Sequence, residues 1–337
     1  MIRCVVGLVA SACCLLALAT SEARSAPSEL RIGVQFGIGY LPIYVARDLD
    51  LINRNLATKG VAPVKVTIQN VAGAPQINDG LLSRTMDLGC GGISAMMVAW
   101  DKTKGAGDNA MKGVVALSSM PYELFTVDPS VKSLSDLSDR NKIGLPAVKV
   151  SIPAIFLEMA AARLYGAENY RKLDPLTVSL AQPDGAIALM SGSGTVDSYV
   201  FAPPFNYQVA QEPRVHRVWS SAELAEQITS LSMWTTARFH RDNPALMAAV
   251  VAGVRDAVAA IRSDPRRAAQ IFIAAENSKL SVDFVTAALG HADLQFSIAP
   301  QNSLLFARFL AGTGTIKTAP SGWKDYFFPD IAAEHGS

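Results

Sequence analysis

The sequence predicts an α/β protein of two lobes, each a mostly parallel sheet flanked by helices, with a helical C-terminal appendage on the first lobe. Three observations predict it. The chain has 337 residues, enough for two core-bearing units. Short apolar runs of strand length alternate with helical segments through its first two thirds, the signature of parallel βαβ units. The first half also has an echo in the second.

The echo begins with Arg31-Ile32-Gly33, which opens a strand, a glycine loop and a helix, as does Lys142-Ile143-Gly144-Leu145-Pro146. Later, Leu81 to Ala95 (LLSRTMDLGCGGISA) matches Leu189 to Pro204 (LMSGSGTVDSYVFAPP). Each ends a helix in serine, passes Thr-Met-Asp or Thr-Val-Asp, and enters a strand. Ile32 to Asp87 spans 55 positions and Ile143 to Asp197 spans 54. Matched order and spacing predict two similar β-α-β-α-β lobes.

In chain order, strands are expected at Leu30–Phe36, Val64–Asn70, Met86–Cys90, Val114–Ser119, Glu123–Val127, Lys142–Leu145, Leu176–Leu180, Val196–Phe201 and Val215–Trp219. Helices are expected at Pro42–Asn55, Pro75–Ser83, Ser94–Lys102, Ser151–Leu164, Asp184–Ser191 and Phe205–Gln211. The last third is helical. Asn243-Pro244 and Asp264-Pro265 each place a capping residue before a first-turn proline, and two further helices end at Gly290 and near Ala311.

The N-terminus reads as a secretory signal peptide over residues 1–23. Met1-Ile2-Arg3 is a positive start, Val5 to Ala19 an uncharged apolar run of fifteen residues, and cleavage is expected after Ala19 or Ala23. Three cysteines leave with it, so the mature chain keeps Cys90 alone and forms no internal disulfide. The longest later apolar run, from Pro244, is closed by Arg255 and Asp256, short of the roughly 18 residues of a membrane span.

The charge balance, 30 basic against 29 acidic residues, gives no electrostatic case for nucleic acid. Gly37-Ile38-Gly39 resembles the start of a dinucleotide fingerprint, but Pro42 occupies the third small position and Tyr40 puts a large ring in the loop. Pro42 also removes an N–H where phosphate needs donors. The four histidines share no ligand spacing, so no metal or other cofactor is expected. No nucleophile elbow is complete. Asp87 and Asp197 suit turns or caps at strand starts.

The loops after the strands share glycine, uncharged polarity and aromatic rings. They carry Gln35, Phe36 and Tyr40; Gly73 and Gln76; Gly92 and Ser94; Lys149 and Ser151; Gln182; and Pro204 and Phe205. All follow strand C-terminal ends, where open α/β sheets bind ligands, and several enter helix N-termini that favour electron-rich groups. With Tyr122 and Trp234, which lie at the expected lobe crossings, these are the candidate ligand-binding residues. No catalytic residue is assigned.

The run GIGYLPIYVARDLDLINRNL (from Gly37) resembles the opening of periplasmic substrate-binding proteins of ABC importers, in the nitrate/sulfonate/taurine and thiamine-pyrimidine-precursor family. VTIQNVAGAPQINDGLLSRTMDLGCGGISAMMVA, SLSDLSDRNKIGLP and ALMSGSGTVDSYVFAPPFNYQVA resemble its later blocks, in order, over about residues 30 to 275. Asp48-Leu49-Asp50, Asn141 and the Ser193-Gly194 insert depart from the pattern, and the cysteine-rich motif of the eukaryotic pyrimidine synthases of this fold is absent. The resemblance implies a type II-like periplasmic binding protein with lobe 1 at 27–120 and 235–337 and lobe 2 at 121–234. It implies crossings near Ser118–Tyr122 and Ser232–Thr236, a ligand between the lobes, and a hinge closure. It also implies a non-enzymatic, exported, monomeric receptor that serves a permease and ATPase at the inner membrane.

Micromolar affinity needs about −8 kcal/mol, while a four-atom anion at about −1.5 kcal/mol per atom reaches only about −6 kcal/mol. The loops offer one obvious cation, Lys149, and several rings. An organic ligand is therefore expected, sulfonate-like or a nitrogen heterocycle. The alternatives are an enzyme of the same fold acting on a small acid, or a ligand-sensing adaptor.

Overall fold

The computed structural model describes residues 27–71 and 73–337; the signal peptide falls outside them. The first lobe begins with β1 (Glu29–Val34), α1 (Leu41–Asp48), α2 (Leu51–Ala57), β2 (Lys65–Asn70), α3 (Ala74–Ser83), β3 (Leu88–Gly92), α4 (Ile93–Thr103) and β4 (Met111–Ser119). The second holds β5 (Glu123–Thr126), β6 (Ile143–Leu145), α5 (Ile152–Tyr165), β7 (Thr177–Ser179), α6 (Gln182–Ser191), β8 (Ser198–Phe201), α7 (Phe205–Val209) and β9 (His216–Ser220). The chain then returns through β10 (Thr229–Thr236), α8 (Ala237–Asp242), α9 (Pro244–Ser263), α10 (Pro265–Glu276), α11 (Val282–Leu289), β11 (Gln295–Phe296) and α12 (Leu304–Gly312).

Two mixed sheets result, ordered β11-β4-β10-β3-β1-β2 and β7-β6-β8-β5-β9. In each, three parallel strands meet an antiparallel one: β10 against β3, and β5 against β8. Leu30, Ile32 and Val34 of β1 share one face of the sheet and are buried there.

The internal echo has a physical counterpart. The Asp87 carboxylate accepts the Arg31 N–H at 2.9 Å, and the Asp87 N–H returns a bond to the Arg31 carbonyl at 2.9 Å. Asp197 does the same with Lys142, at 2.7 and 3.2 Å. Each aspartate thus ties the start of one parallel strand to its neighbour, the capping role its position suggests.

Two expectations need correction. The helix expected at Pro42–Asn55 breaks at Asp50, which sits in the left-handed region at φ 54°. Asn53 fixes the break, bonding Asp50 at 2.8 Å and the Val64 backbone at 2.8 and 3.0 Å. The return crossing is not at Ser232–Thr236: β10 joins the first sheet from Thr229, so the chain crosses between Ser220 and Thr229, and residues 229–234 belong with the first sheet. α9 carries the apolar run that Arg255 and Asp256 close and continues past them to Ser263. It runs 20 residues, long and apolar enough to cross a membrane, but is a core helix. Leu246, Met247, Val250 and Val254 are buried, and Gly253 lets it approach Ile52 of α2.

One core cluster runs through both lobes, and a smaller one around Tyr199 and Phe201 lies within the second lobe alone. Phe156 of α5 packs at a tilt against Phe306 of α12, 4.9 Å between ring centres, and against Tyr122 beside the first crossing, at 5.3 Å. Tyr207 of α7 donates to Asp293 at 2.6 Å and lies 3.9 Å over the His291 ring, a second bridge from lobe to lobe.

Candidate functional site

The end of β3 in the first lobe meets the start of α5 in the second at one seam. A side chain on Gly92, which caps α4, would lie 2.7 Å from Ile152 in the first turn of α5. The bare glycine lets the second lobe's helix close onto the end of β3. Ser94, in the first turn of α4, is buried beside it. Gln35, half-buried at the end of β1, reaches over Gly91, its amide nitrogen 3.0 Å from where a side chain there would begin.

On the second lobe, Ser151 caps α5 in position only: its hydroxyl donates to the Ala147 carbonyl at 2.6 Å, leaving the first N–H groups of α5 without a side-chain acceptor. Gln182 accepts the Ala202 N–H at 2.8 Å and so ties the first turn of α6 to the loop before α7. Pro204 is buried behind a cis Pro203–Pro204 bond, and Phe205 is half-buried.

The remaining candidates are scattered in burial. Phe36 is 62% exposed, and Lys149 and Gln76 are exposed. Gly73 is half-buried at the cap of α3. Tyr40, Tyr122 and Trp234 are core side chains in this conformation. Trp234 lies against Gly91 and donates its indole N–H to Asn78 of α3 at 3.0 Å. Burial pushes the Tyr40 and Tyr122 hydroxyls above their ordinary range, so both stay neutral. Cys90 is also buried, its thiol pushed up by desolvation.

Neither of two surface cavities involves these residues. One of about 380 Å³ lies behind β9 by Leu134, Arg163 and Trp219, and one of about 260 Å³ lies at the base of the first lobe by Arg31, Arg84 and Arg238. Surface concavity is a poor guide here, because the strand-end loops are packed against each other at the Gly92–Ile152 seam. A ligand between them requires the lobes to part.

Sequence reasoning missed one group at this end of the first lobe. Glu276, at the end of α10, accepts the Gly37 N–H at 2.7 Å and the Tyr44 hydroxyl at 3.0 Å. Burial raises its pKa to about 7, against the lowering pull of these two bonds. Its partner Gly37 is 239 positions away, so no local pattern announces it. A second raised acid, Glu158 on α5, also titrates near 7, through burial and then the neighbouring Asp174. Among the described residues no three His, Cys, Asp or Glu side chains gather as a metal would need.

No curated protein matches the chain in sequence. Solved structures resemble it closely in fold. The periplasmic aliphatic sulphonate binding protein SsuA of Escherichia coli superposes with a TM-score of 0.64 at 16% identity, over 90% of this chain and 92% of that one. The alkanesulfonate-binding protein SsuA of Xanthomonas axonopodis pv. citri, bound to MOPS, gives 0.60 at 17%, over 86% and 92%. The periplasmic nitrate-binding protein NrtA of Synechocystis PCC 6803 gives 0.62 at 12%, over 93% and 87%. These likenesses establish the periplasmic binding protein fold. Residues 23–275 match the model of the NMT1-like family, and the chain belongs to that family.

Proposed function

We propose that the protein is an exported solute receptor that takes a small organic ligand between its lobes and delivers it to an ABC importer. The observation that carries this reading is the Gly92–Ile152 seam, where the end of a first-lobe strand meets the start of a second-lobe helix. A ligand gripped there touches both lobes at once. Those contacts exist only when the lobes are closed on it, so they supply the differential affinity that closure needs. The transporter then distinguishes a loaded receptor from an empty one by shape.

The fold neighbours named for sulfonates and nitrate support the reading of a small, polar solute as the ligand. The helix N-termini at α4, α5 and α6 lack side-chain caps and leave donors for an electron-rich group. Lys149 supplies one exposed charge, and Phe36 and Phe205 offer rings to an organic body. A sulfonate with an organic tail, or a nitrogen heterocycle, fits this set better than bare nitrate. A thermal-shift screen of alkanesulfonates, nitrate, pyrimidines and aromatic acids tests the reading. Stabilisation by an organic member supports it, and stabilisation by nitrate alone contradicts it. Importer delivery is tested by finding permease and ATPase genes beside this one and by restored uptake in reconstituted vesicles.

A further inference from the structure

We propose that Glu276 is a positioning residue for ligand capture: it holds the loop between β1 and α1 in the shape that presents Gln35 and Phe36 to the cleft. The inference rests on the cleft reading above and adds a residue outside both sets of strand-end loops. Gly37 has φ 133°, a backbone conformation that favours glycine. Its carbonyl accepts the Tyr40 N–H at 3.2 Å, closing a short turn into α1. Its N–H points the other way, into the Glu276 carboxylate at 2.7 Å. The same oxygen takes the Tyr44 hydroxyl from α1 at 3.0 Å. One carboxylate from the C-terminal helical layer therefore fixes the loop and the helix that follows. Phe36, the residue just before the pin, stands exposed.

The carboxylate has no cationic partner among the ion pairs of the described residues. The groups around it are Tyr44 and Tyr40, with Cys90 of β3 near Tyr40. Arg47 lies over the Tyr44 ring but pairs with Asp48. The charged residues of the packed helices are engaged elsewhere: Arg255 with Glu334, Asp256 with Asn55, Arg262 with the Phe296 carbonyl, and Asp283 with Arg266. An ionised Glu276 thus puts an uncompensated charge behind the ligand loop. A ligand anion on that loop favours the protonated acid, so its affinity falls as pH rises through about 7. Either protonation state still accepts the Gly37 N–H, so the pin itself persists.

The test uses the mature protein, with methanesulfonate as an anionic probe at pH 6 and pH 8, in wild type, Glu276→Ala and Glu276→Gln. Losing a hydrogen bond to a charged group predicts about tenfold weaker binding for Glu276→Ala. Glu276→Gln keeps an acceptor, so it binds within about threefold of wild type and loses the pH dependence. Wild-type affinity for Glu276→Ala, or equal losses in both variants, overturns the proposal. Hydrogen exchange at the Gly37 amide is the second readout and needs no ligand. Faster exchange at Gly37 in Glu276→Ala, with the α4 amides unchanged, supports the pin; unchanged exchange at Gly37 overturns it. If methanesulfonate binds no form of the protein, the anionic-ligand reading fails, and the exchange result alone decides the role of Glu276.

Discussion

Truncating Phe156 tests how the two lobes are joined. The ring is fully buried in α5, 5.3 Å from Tyr122 and 4.9 Å from Phe306. Tyr122 sits by the first crossing, and Phe306 belongs to α12 of the C-terminal appendage. Removing a buried phenyl ring costs about 3–5 kcal/mol, as lost transfer energy plus the cavity left behind. Each aromatic pair adds about 1 kcal/mol beyond buried area, so a double-mutant cycle with Phe306→Ala should show a coupling of that size. Urea unfolding followed by tryptophan fluorescence measures both. Wild type should unfold in a single transition, because the lobes share one core. Phe156→Ala should lower the midpoint and separate the transitions of the two lobes. A cost under about 1 kcal/mol, with zero coupling to Phe306, would refute the shared core.

Two further outcomes are expected. Asp87→Ala and Asp197→Ala should destabilise by similar amounts, about 1–3 kcal/mol each, because each leaves a strand-start N–H without its acceptor; a large effect from one and none from the other would break the structural equivalence of the lobes. Glu158 titrates near 7 in the folded protein against an ordinary 4.5, so the folded state binds the extra proton between those values and loses stability as pH rises through that window. Glu158→Gln should therefore flatten the pH dependence of the urea midpoint between about pH 4.5 and 7 and be the more stable form at pH 8; an unchanged slope would count against the buried acid.

The features legible in the sequence were those that repeat locally. The spacing of Arg31 with Asp87 and of Lys142 with Asp197 marked two lobes, because each aspartate closes the same strand-to-strand bond. The break at Asp50 was hidden, since Asn53 stabilises it through the backbone of Val64, a contact outside the helix. β10 was read only as a crossing. Its run Thr-Ser-Leu-Ser-Met-Trp-Thr-Thr is mostly hydroxyl-bearing and lacks the apolar run of a central strand, yet every residue is buried between β3 and β4. The same burial explains why Trp234 resembled a ligand ring: an indole at a lobe crossing looks available until Asn78 and Gly91 are seen to enclose it. Glu276 reaches Gly37 from the far end of the fold, and only three-dimensional packing brings them together.

Binding to Gly92→Val tests the central claim most directly. The variant places a branched side chain where even a Cβ lies 2.7 Å from Ile152, and so props the seam open. The best organic ligand from the thermal-shift screen, titrated calorimetrically into wild type and variant, should bind the variant at least about tenfold more weakly, a loss of about 1.4 kcal/mol. Overpacking at the seam costs about 1–3 kcal/mol, so the variant's thermal midpoint without ligand should fall modestly while its circular dichroism stays that of wild type. Equal affinity in the two proteins would place the ligand away from the interlobe seam and contradict the account.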